Sequence, residues 1–218
     1  MPNINLIKKS LELVQKSVLY QTRGNIFEVK NAVTIFNNFS GRPNNFNNTS
    51  KYCNLVLNEQ GLQLFQNLTL ADGSPLKVKI HQYPSDDQLK VIKEQTGEDI
   101  PPLFYINIKV NMGGKYPPVV KLYSKKQVRD DEGKIIEVTP PQTTLTEETI
   151  GCLDQANIER MDIAFSVRES TALQAKKEHW SVQYLQKMNA KIVIIPDFGG
   201  DWDDVDTFDP SLEPNMND

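Results

Sequence analysis

Apolar residues recur at Ile4, Ile7, Leu11, Val14 and Val18, at alternating spacings of three and four, and Leu6, Leu13 and Leu19 widen the stripe. Lys8, Lys9, Glu12 and Lys16 fall elsewhere. This period puts one apolar face on a helix over residues 4–20, ended by Arg23-Gly24. The stripe is nearly heptad-like, so it suits either packing within its own domain or pairing with another subunit. From Asn25 to about Pro196 the period shortens to two. Asn25–Phe36, Lys51–Asn58 and Leu76–Tyr83 read as three strands. Phe104–Asn111 is the clearest: Phe104, Ile106, Ile108 and Val110 face one way, while Tyr105, Asn107, Lys109 and Asn111 face the other. Val119–Ser124 repeats that chemistry, with Val120 and Leu122 inward and Lys121 and Tyr123 outward. Ile163–Arg168 and Val182–Ile195 supply further strands.

Two short helices interrupt the β pattern. Gly61–Leu70 is one; Ser85–Gln95 is the other, with a serine N-cap, early acids, apolar Leu89 and Ile92, and a stop at Gly97. Residues 37–50 form a long polar loop punctuated by Phe39 and Phe46, and a charged hairpin turns around Asp130–Gly133. There is no internal repeat. Several twisted strands with short helices and long loops predict a mainly β fold, a small Greek-key barrel with elaborations.

Charge changes this picture at one end. The chain has 24 basic and 28 acidic residues, and eight of the acids lie in residues 197–218, which hold no base. Residues 1–196 therefore carry 24 bases against 20 acids, a net of +4. A tail this acidic cannot bury enough apolar surface to offset its ordering entropy and is expected to be disordered. Its aromatic Trp202 and Phe208, set among Asp201, Asp203, Asp204 and Asp206, have the look of a partner-binding motif. No apolar run approaches the ~20 residues of a membrane span. Lys8 and Lys9 interrupt any signal-peptide pattern, so a cytoplasmic protein is expected. Cys53 and Cys152 lack metal-like spacing and read as buried free thiols; His81 and His179 are isolated from any cysteine or second histidine. No metal and no cofactor are expected.

The candidate chemistry lies on the polar strand faces. Tyr105 with Lys109, Lys121 with Tyr123, and Lys77 with Lys79 combine rings that can stack on bases with cations that can follow phosphates. Tyrosine–lysine alternation is also ordinary on a solvated sheet face. Phe39, Arg42, Phe46 and Tyr52 belong to or border the polar loop, where one of the two phenylalanines has a structural role as a plug at the barrel end. Acidic pairs have local explanations that leave little for a nuclease. Asp86-Asp87 suits a helix N-terminus, Glu147 follows Thr144 with capping-box spacing, and Asp130-Asp131-Glu132 precedes a turn glycine. No serine–histidine or cysteine–histidine arrangement and no phosphate-binding glycine loop is present.

Ala32-Val-Thr-Ile-Phe-Asn-Asn-Phe-Ser-Gly41, followed by Phe46-Asn47 and Tyr52-Cys53, resembles the opening signature of a tailed-phage single-stranded-DNA-binding protein family. Leu76-Lys-Val-Lys79, and Pro117-Pro118 with Val120 and Leu122, are similar to its central strands. Thr144–Gly151 with Leu153-Asp154 is similar to its late Glu-Glu-Thr-Ile-Gly segment, and Trp180 and Tyr184-Leu185 fall where its closing strand lies. The resemblance covers roughly residues 26–195. It implies an OB-fold-like barrel that coats single-stranded DNA in replication, recombination or repair, in the host cytoplasm if the protein is phage-encoded. It also implies an acidic tail that recruits replication or recombination proteins. The helix before Gly24 is additional, and Gly61–Pro75 and Ser85–Pro102 are longer than the family core.

The expected organisation is an N-terminal helix (1–23), an OB-fold-like DNA-binding domain (24–196) and an acidic tail (197–218). The expected DNA contacts are Phe39, Arg42, Phe46, Tyr52, Lys77, Lys79, Tyr105, Lys109, Lys121 and Tyr123. A structural or virion-associated β-domain protein, assembled through the helix, is the competing class.

Overall fold

A computed structural model describes residues 2–43, 49–129, 134–138 and 142–194. The order is α1 (Ile4–Val14), β1 (Val18–Arg23), β2 (Ile26–Lys30), β3 (Thr34–Asn38), β4 (Tyr52–Leu57), α2 (Glu59–Gln66), β5 (Ile80–Tyr83), α3 (Asp86–Thr96), β6 (Leu103–Lys109), β7 (Val119–Arg129), β8 (Ile135–Val138), β9 (Thr143–Leu145), a 3-10 turn (Ile150–Asp154), β10 (Ile158–Glu169), α4 (Leu173–Lys177) and β11 (Ser181–Ile194). The fold is mainly β with short helices, as the pattern predicts. Among the described residues the strands form one mixed sheet along β1-β2-β10-β11-β6-β4-β3, with β5, β7, β8 and β9 branching from it. The terminal strands β1 and β3 do not pair, so the sheet wraps its core without closing.

β6 organises that wrapping. One edge pairs antiparallel with β4 along Tyr52↔Lys109 to Leu57↔Phe104. The other edge takes β5 first, at Ile80↔Ile106, and then β11, at Gln183↔Ile108 and Tyr184↔Lys109. β7 then continues along the same edge of β11, in parallel, from Lys187↔Val119 onward. β6 and β7 therefore lie end to end rather than side by side.

Alternation sorts the side chains into two cores. Ile106 and Ile108 join Phe27, Phe39, Cys53, Leu55, Phe165 and Met188 in the main one. Phe65 of α2 closes it, its ring centroid 5.3 Å from that of Phe27. The second core lies on the opposite face of β4 and β6, where Ile7 and Val14 of α1, Ile92 of α3, Ile35, Val56, Ile100 and Leu103 are buried.

Three expectations change. The N-terminal helix ends at Val14, and residues 18–23 form β1 paired with β2, so a boundary after residue 23 falls in a hairpin turn. Val18 and Thr22 are β-branched and Tyr20 is aromatic, and pairing with β2 overrides the apolar helical period. α1 uses its stripe inside the chain, since Ile7 is 0% exposed and Val14 2%. Of the stripe, Leu13 on α1 and Val18 on β1 remain exposed. Asn25–Phe36 is two strands, separated where Asn31 takes φ 52° and donates its N–H to Asp162.

Smaller differences have local causes. Leu76–Lys79 is extended but only β5, Ile80–Tyr83, pairs with β6. Thr144 lies in β9 and caps nothing; the turn after it is held by Thr146 N–H donating to Thr149 Oγ1 at 2.8 Å. Cys53 is buried, which pushes its thiol up to about 12, whereas Cys152 is exposed on the 3-10 turn. α3 matches its sequence signals closely: Ser85 and Gln88 form a reciprocal capping box, and Gly97 ends the helix at φ 72°.

Because α1 packs into the second core, Ile7→Ala is expected to cost about 2–5 kcal/mol of stability, read by denaturant unfolding, with no change in sedimentation. A changed oligomeric state at unchanged stability would show that α1 serves assembly.

Candidate nucleic-acid interface

Residues paired directly across a sheet share a face, so the register assembles the site without further assumption. On the outer face, away from the main core, Tyr52 of β4, Lys109 of β6 and Tyr184 of β11 form one row. Asn54 and Asn107 form the next, joined by an Asn107 Nδ2–H to Asn54 Oδ1 hydrogen bond of 2.9 Å. Tyr105 and His81 form a third, their rings stacked at 5.2 Å and 16°. Leu76 and Val78 point into the main core, which turns Lys77 and Lys79 outward. Lys77 pairs with Trp180 through backbone hydrogen bonds to its neighbours: Lys77 N–H to His179 O at 2.9 Å and Ser181 N–H to Lys77 O at 2.8 Å. Its ammonium lies 5.7 Å from the Trp180 ring.

Five rings and three lysines thus share one surface. Residues 52–57, 77–83, 103–109 and 180–184, which build it, contain no Asp or Glu. Among the described residues Lys77, Lys79 and Lys109 stand in no ion pair. Lys30 and Arg160 pair with Asp162, Lys51 with Glu147, and Lys191 with Glu159. The first group of cations is available to an anionic ligand; the second is already partly neutralised.

Burial tunes the ring chemistry. Burial, then the charge of Lys79, holds the His81 imidazole below its ordinary 6.5. Burial, with the neighbouring Tyr52, raises the Tyr105 phenol. Tyr105 is half-buried because the second core packs against it, so one side of its ring is spent on structure. Tyr52 and Tyr184 are half-buried as well, but neither packs on the second core.

The other expected contacts separate. Lys121 and Tyr123 lie beside Asn189 and Lys191 farther along β11, about 16 and 23 Å beyond Tyr184 at the ~3.3 Å rise of a strand. They share the outer face but belong to a second patch in which Asp162 and Glu159 are present. Arg42 is exposed at the rim next to the Asn38↔Tyr52 pair, its Nε–H donating to Ser40 Oγ at 3.2 Å. Phe39 is 0% exposed and belongs to the main core, so it offers no stacking surface. Phe46 lies outside the described residues, as do Asp201, Trp202, Asp203, Asp204, Asp206 and Phe208.

Phe39 is buried by the contact between two sequence blocks singled out above. Asp154 accepts hydrogen bonds from Phe39 N–H at 2.8 Å, Ser40 N–H at 2.9 Å and Ser40 Oγ–H at 2.6 Å. Asn38 then holds both ends of the polar loop, donating to Arg42 O at 2.9 Å and Ser50 O at 3.2 Å. Gly41, at φ 70°, would put a Cβ 2.8 Å from Thr49 O, so the corner needs glycine. The Asn-Phe-Ser-Gly and Glu-Glu-Thr-Ile-Gly blocks are halves of one structural joint.

Sequence reasoning missed His81, Trp180 and Tyr184. Trp180 and Tyr184 are four positions apart in an alternating segment, which is enough to put them on one face; their proximity to Lys77 and Lys109 depends on the pairing. Among the described residues no three His, Cys, Asp or Glu side chains are grouped to hold a metal, and no helix is long and apolar enough to cross a membrane.

No family model matches this chain, and no curated protein is similar to it in sequence. Solved structures of the single-stranded DNA-binding protein from bacteriophage Enc34 are similar to it at low levels. The structure in complex with ssDNA has 11% identity over 85% of this chain and 99% of that one, with a TM-score of 0.41. The structure of that protein on its own has 12% identity over 87% and 98%, with a TM-score of 0.40. A C-terminal truncation has 12% identity over 86% and 99%, with a TM-score of 0.38. At this similarity the chemistry of the face itself has to carry a functional assignment.

His81 is expected to titrate below 6.5 by NMR, because burial and Lys79 disfavour its charged form. Between its folded and unfolded midpoints the unfolded chain binds more protons, so the stability contributed by neutral His81 is complete above 6.5 and is lost as pH falls through the folded midpoint. Lys79→Gln should move that midpoint upward. A ring titrating at or above 6.5 would show that the His81–Tyr105 stack is open to water.

Proposed function

We propose that this chain binds single-stranded DNA without sequence specificity, on the outer face of β4, β5, β6 and the start of β11. The observation that carries the proposal is the row Tyr52–Lys109–Tyr184, flanked by Trp180, Lys77 and Lys79, on strand segments without an acidic residue. One carboxylate does meet these rings: Glu178 accepts from the Trp180 indole N–H at 2.9 Å. Flat rings stack on any base, each stack contributing roughly 1–3 kcal/mol, while lysines follow the backbone. In a duplex the base faces are already occupied by their neighbours, so the same surface discriminates against paired strands. The resemblance of the Asn38–Gly41 and Thr144–Gly151 blocks to a phage single-strand-binding family supports the same reading. No step of this activity requires a bond to be made or broken.

Lys121, Tyr123 and Arg42 extend the path along β11 and over the β3–β4 rim. The acidic residues 197–218 act as an internal polyanion that competes for the lysines at low salt, and Trp202 and Phe208 serve as the handle for a replication or recombination partner. Competition of this kind fades once the Debye length falls to ~8 Å at physiological salt.

Titration with labelled oligo-dT at two salt concentrations tests the reading. Tyr184→Ala and Tyr52→Ala should weaken binding at both salts, by roughly 5- to 150-fold for 1–3 kcal/mol. Lys109→Gln should lower the log–log salt slope by about 0.7. Unchanged affinity in both folded tyrosine variants would overturn the assignment of this face.

Deleting residues 199–218 should tighten oligo-dT binding chiefly at low salt. Trp202→Ala with Phe208→Ala should leave DNA affinity unchanged and abolish capture of the partner. Equal affinity of the deleted and full-length chains at low salt would remove the competitor role.

A further inference from the structure

Phe36 occupies a position that folding energetics alone would not choose. Its neighbour Ile35 pairs with Asn54 and is buried in the second core, on the outer side of the sheet. Simple alternation would send Phe36 through the sheet into the main core, beside Cys53 and Leu55. Instead the register of β3 slips between Ile35 and Asn38, and Phe36 adopts φ 50°. For a bulky aromatic residue this is a genuine outlier, the left-handed region being the province of glycine and asparagine. The ring emerges 47% exposed, edge-on to Tyr83 with centroids 4.7 Å apart and planes at 83°.

The bulge is built from amides. Asn54 Nδ2–H donates to Phe36 O at 3.0 Å, and Asn37 Oδ1 accepts the Asn54 N–H at 3.1 Å in place of a ladder carbonyl. Asn54 is itself buried, and its Oδ1 is held by Asn107 from β6. Asn37 Nδ2–H closes the arrangement on Thr34 Oγ1 at 2.9 Å. Side chains from three strands thus fix a strained backbone whose effect is to move a phenyl ring from the core to the solvent. Strain that is over-determined by its surroundings is the kind found at functional positions.

We infer that Phe36 is a base-stacking position, with an unpaired nucleobase as its ligand. Tyr83, against which the ring stands, is two residues from His81 in β5, and His81 stacks on Tyr105. Phe36 is therefore the β3-side end of the same aromatic surface. The T-shaped contact with Tyr83 leaves the phenyl ring 47% exposed, and that exposed surface is what a base would cover. The inference rests on the proposed single-strand-binding function and adds a position remote from its central tyrosine–lysine row.

The test uses the full-length chain with oligo-dT. Phe36→Asn, which tolerates the left-handed backbone, should keep the thermal midpoint within a few degrees of the parent and weaken binding at least 5-fold at both salts. Phe36→Trp should retain parental affinity. With the unmodified chain and an oligonucleotide carrying 5-iodouracil, photo-crosslinking followed by mass spectrometry should place an adduct on Phe36. Parental affinity in Phe36→Asn, or absence of an adduct at Phe36, overturns the inference. If Tyr184→Ala still weakens binding in that case, only this position is lost. If Tyr184→Ala and Phe36→Asn both bind like the parent, the face itself has been misassigned.

Discussion

β6 is held along both edges and on its inner face. One edge is filled by β4, and the other is divided between β5 and β11. Its inward Ile106 and Ile108 are fully buried in the main core, and its outward residues sit beneath α1 at one end and in water at the other. A slip of one residue would put Tyr105, Asn107 and Lys109 into the main core and the isoleucines outside. The register of this strand therefore sets both the stability of the body and the composition of its outer surface. The position of the aromatic and basic groups is a by-product of burying the isoleucines.

Amide side chains do much of the irregular work. Asn38 closes the polar loop, Asn54 and Asn37 stitch the β3 bulge, Asn31 Nδ2–H donates to Lys16 O beside the turn between β2 and β3, and Asn58 caps α2. Each supplies donors and acceptors where the ladder is broken, so that buried backbone groups stay paired. Asparagine richness near residues 37–58 looks like low-value loop composition in the sequence. In the fold Asn37, Asn38 and Asn54 keep the sheet's broken ladder hydrogen-bonded.

The features legible in the sequence were those fixed locally. α3 followed from Ser85, Gln88 and Gly97, whose geometry is complete within one helix. β6 followed from strict alternation, and the outward lysines and tyrosines followed from β6. The N-terminal helix was overextended because Val18 and Leu19 fit its period equally well, and only the presence of β2 decides for a strand. The polar loop around Phe39 and Phe46 leaves open which ring is a DNA contact and which a plug; Asp154, more than a hundred residues away, folds Phe39 inward. Trp180, Tyr184 and His81 joined the site through pairings that no local pattern encodes. Lys121 and Tyr123 were correctly directed outward, but their distance from Lys109 depended on β6 and β7 running in succession along β11.

The joint between the two sequence blocks carries a mechanical consequence. A Cβ on Gly151 would sit 3.1 Å from the Ser40 Cβ and 3.2 Å from its Cα, so part of the wall is backbone that cannot retract. Ser40 in turn gives its hydroxyl and N–H to Asp154, three residues beyond that glycine. Positions 40, 151 and 154 are thus mechanically coupled: a side chain at 151 presses on Ser40, and any shift of Ser40 is felt in its two hydrogen bonds to Asp154.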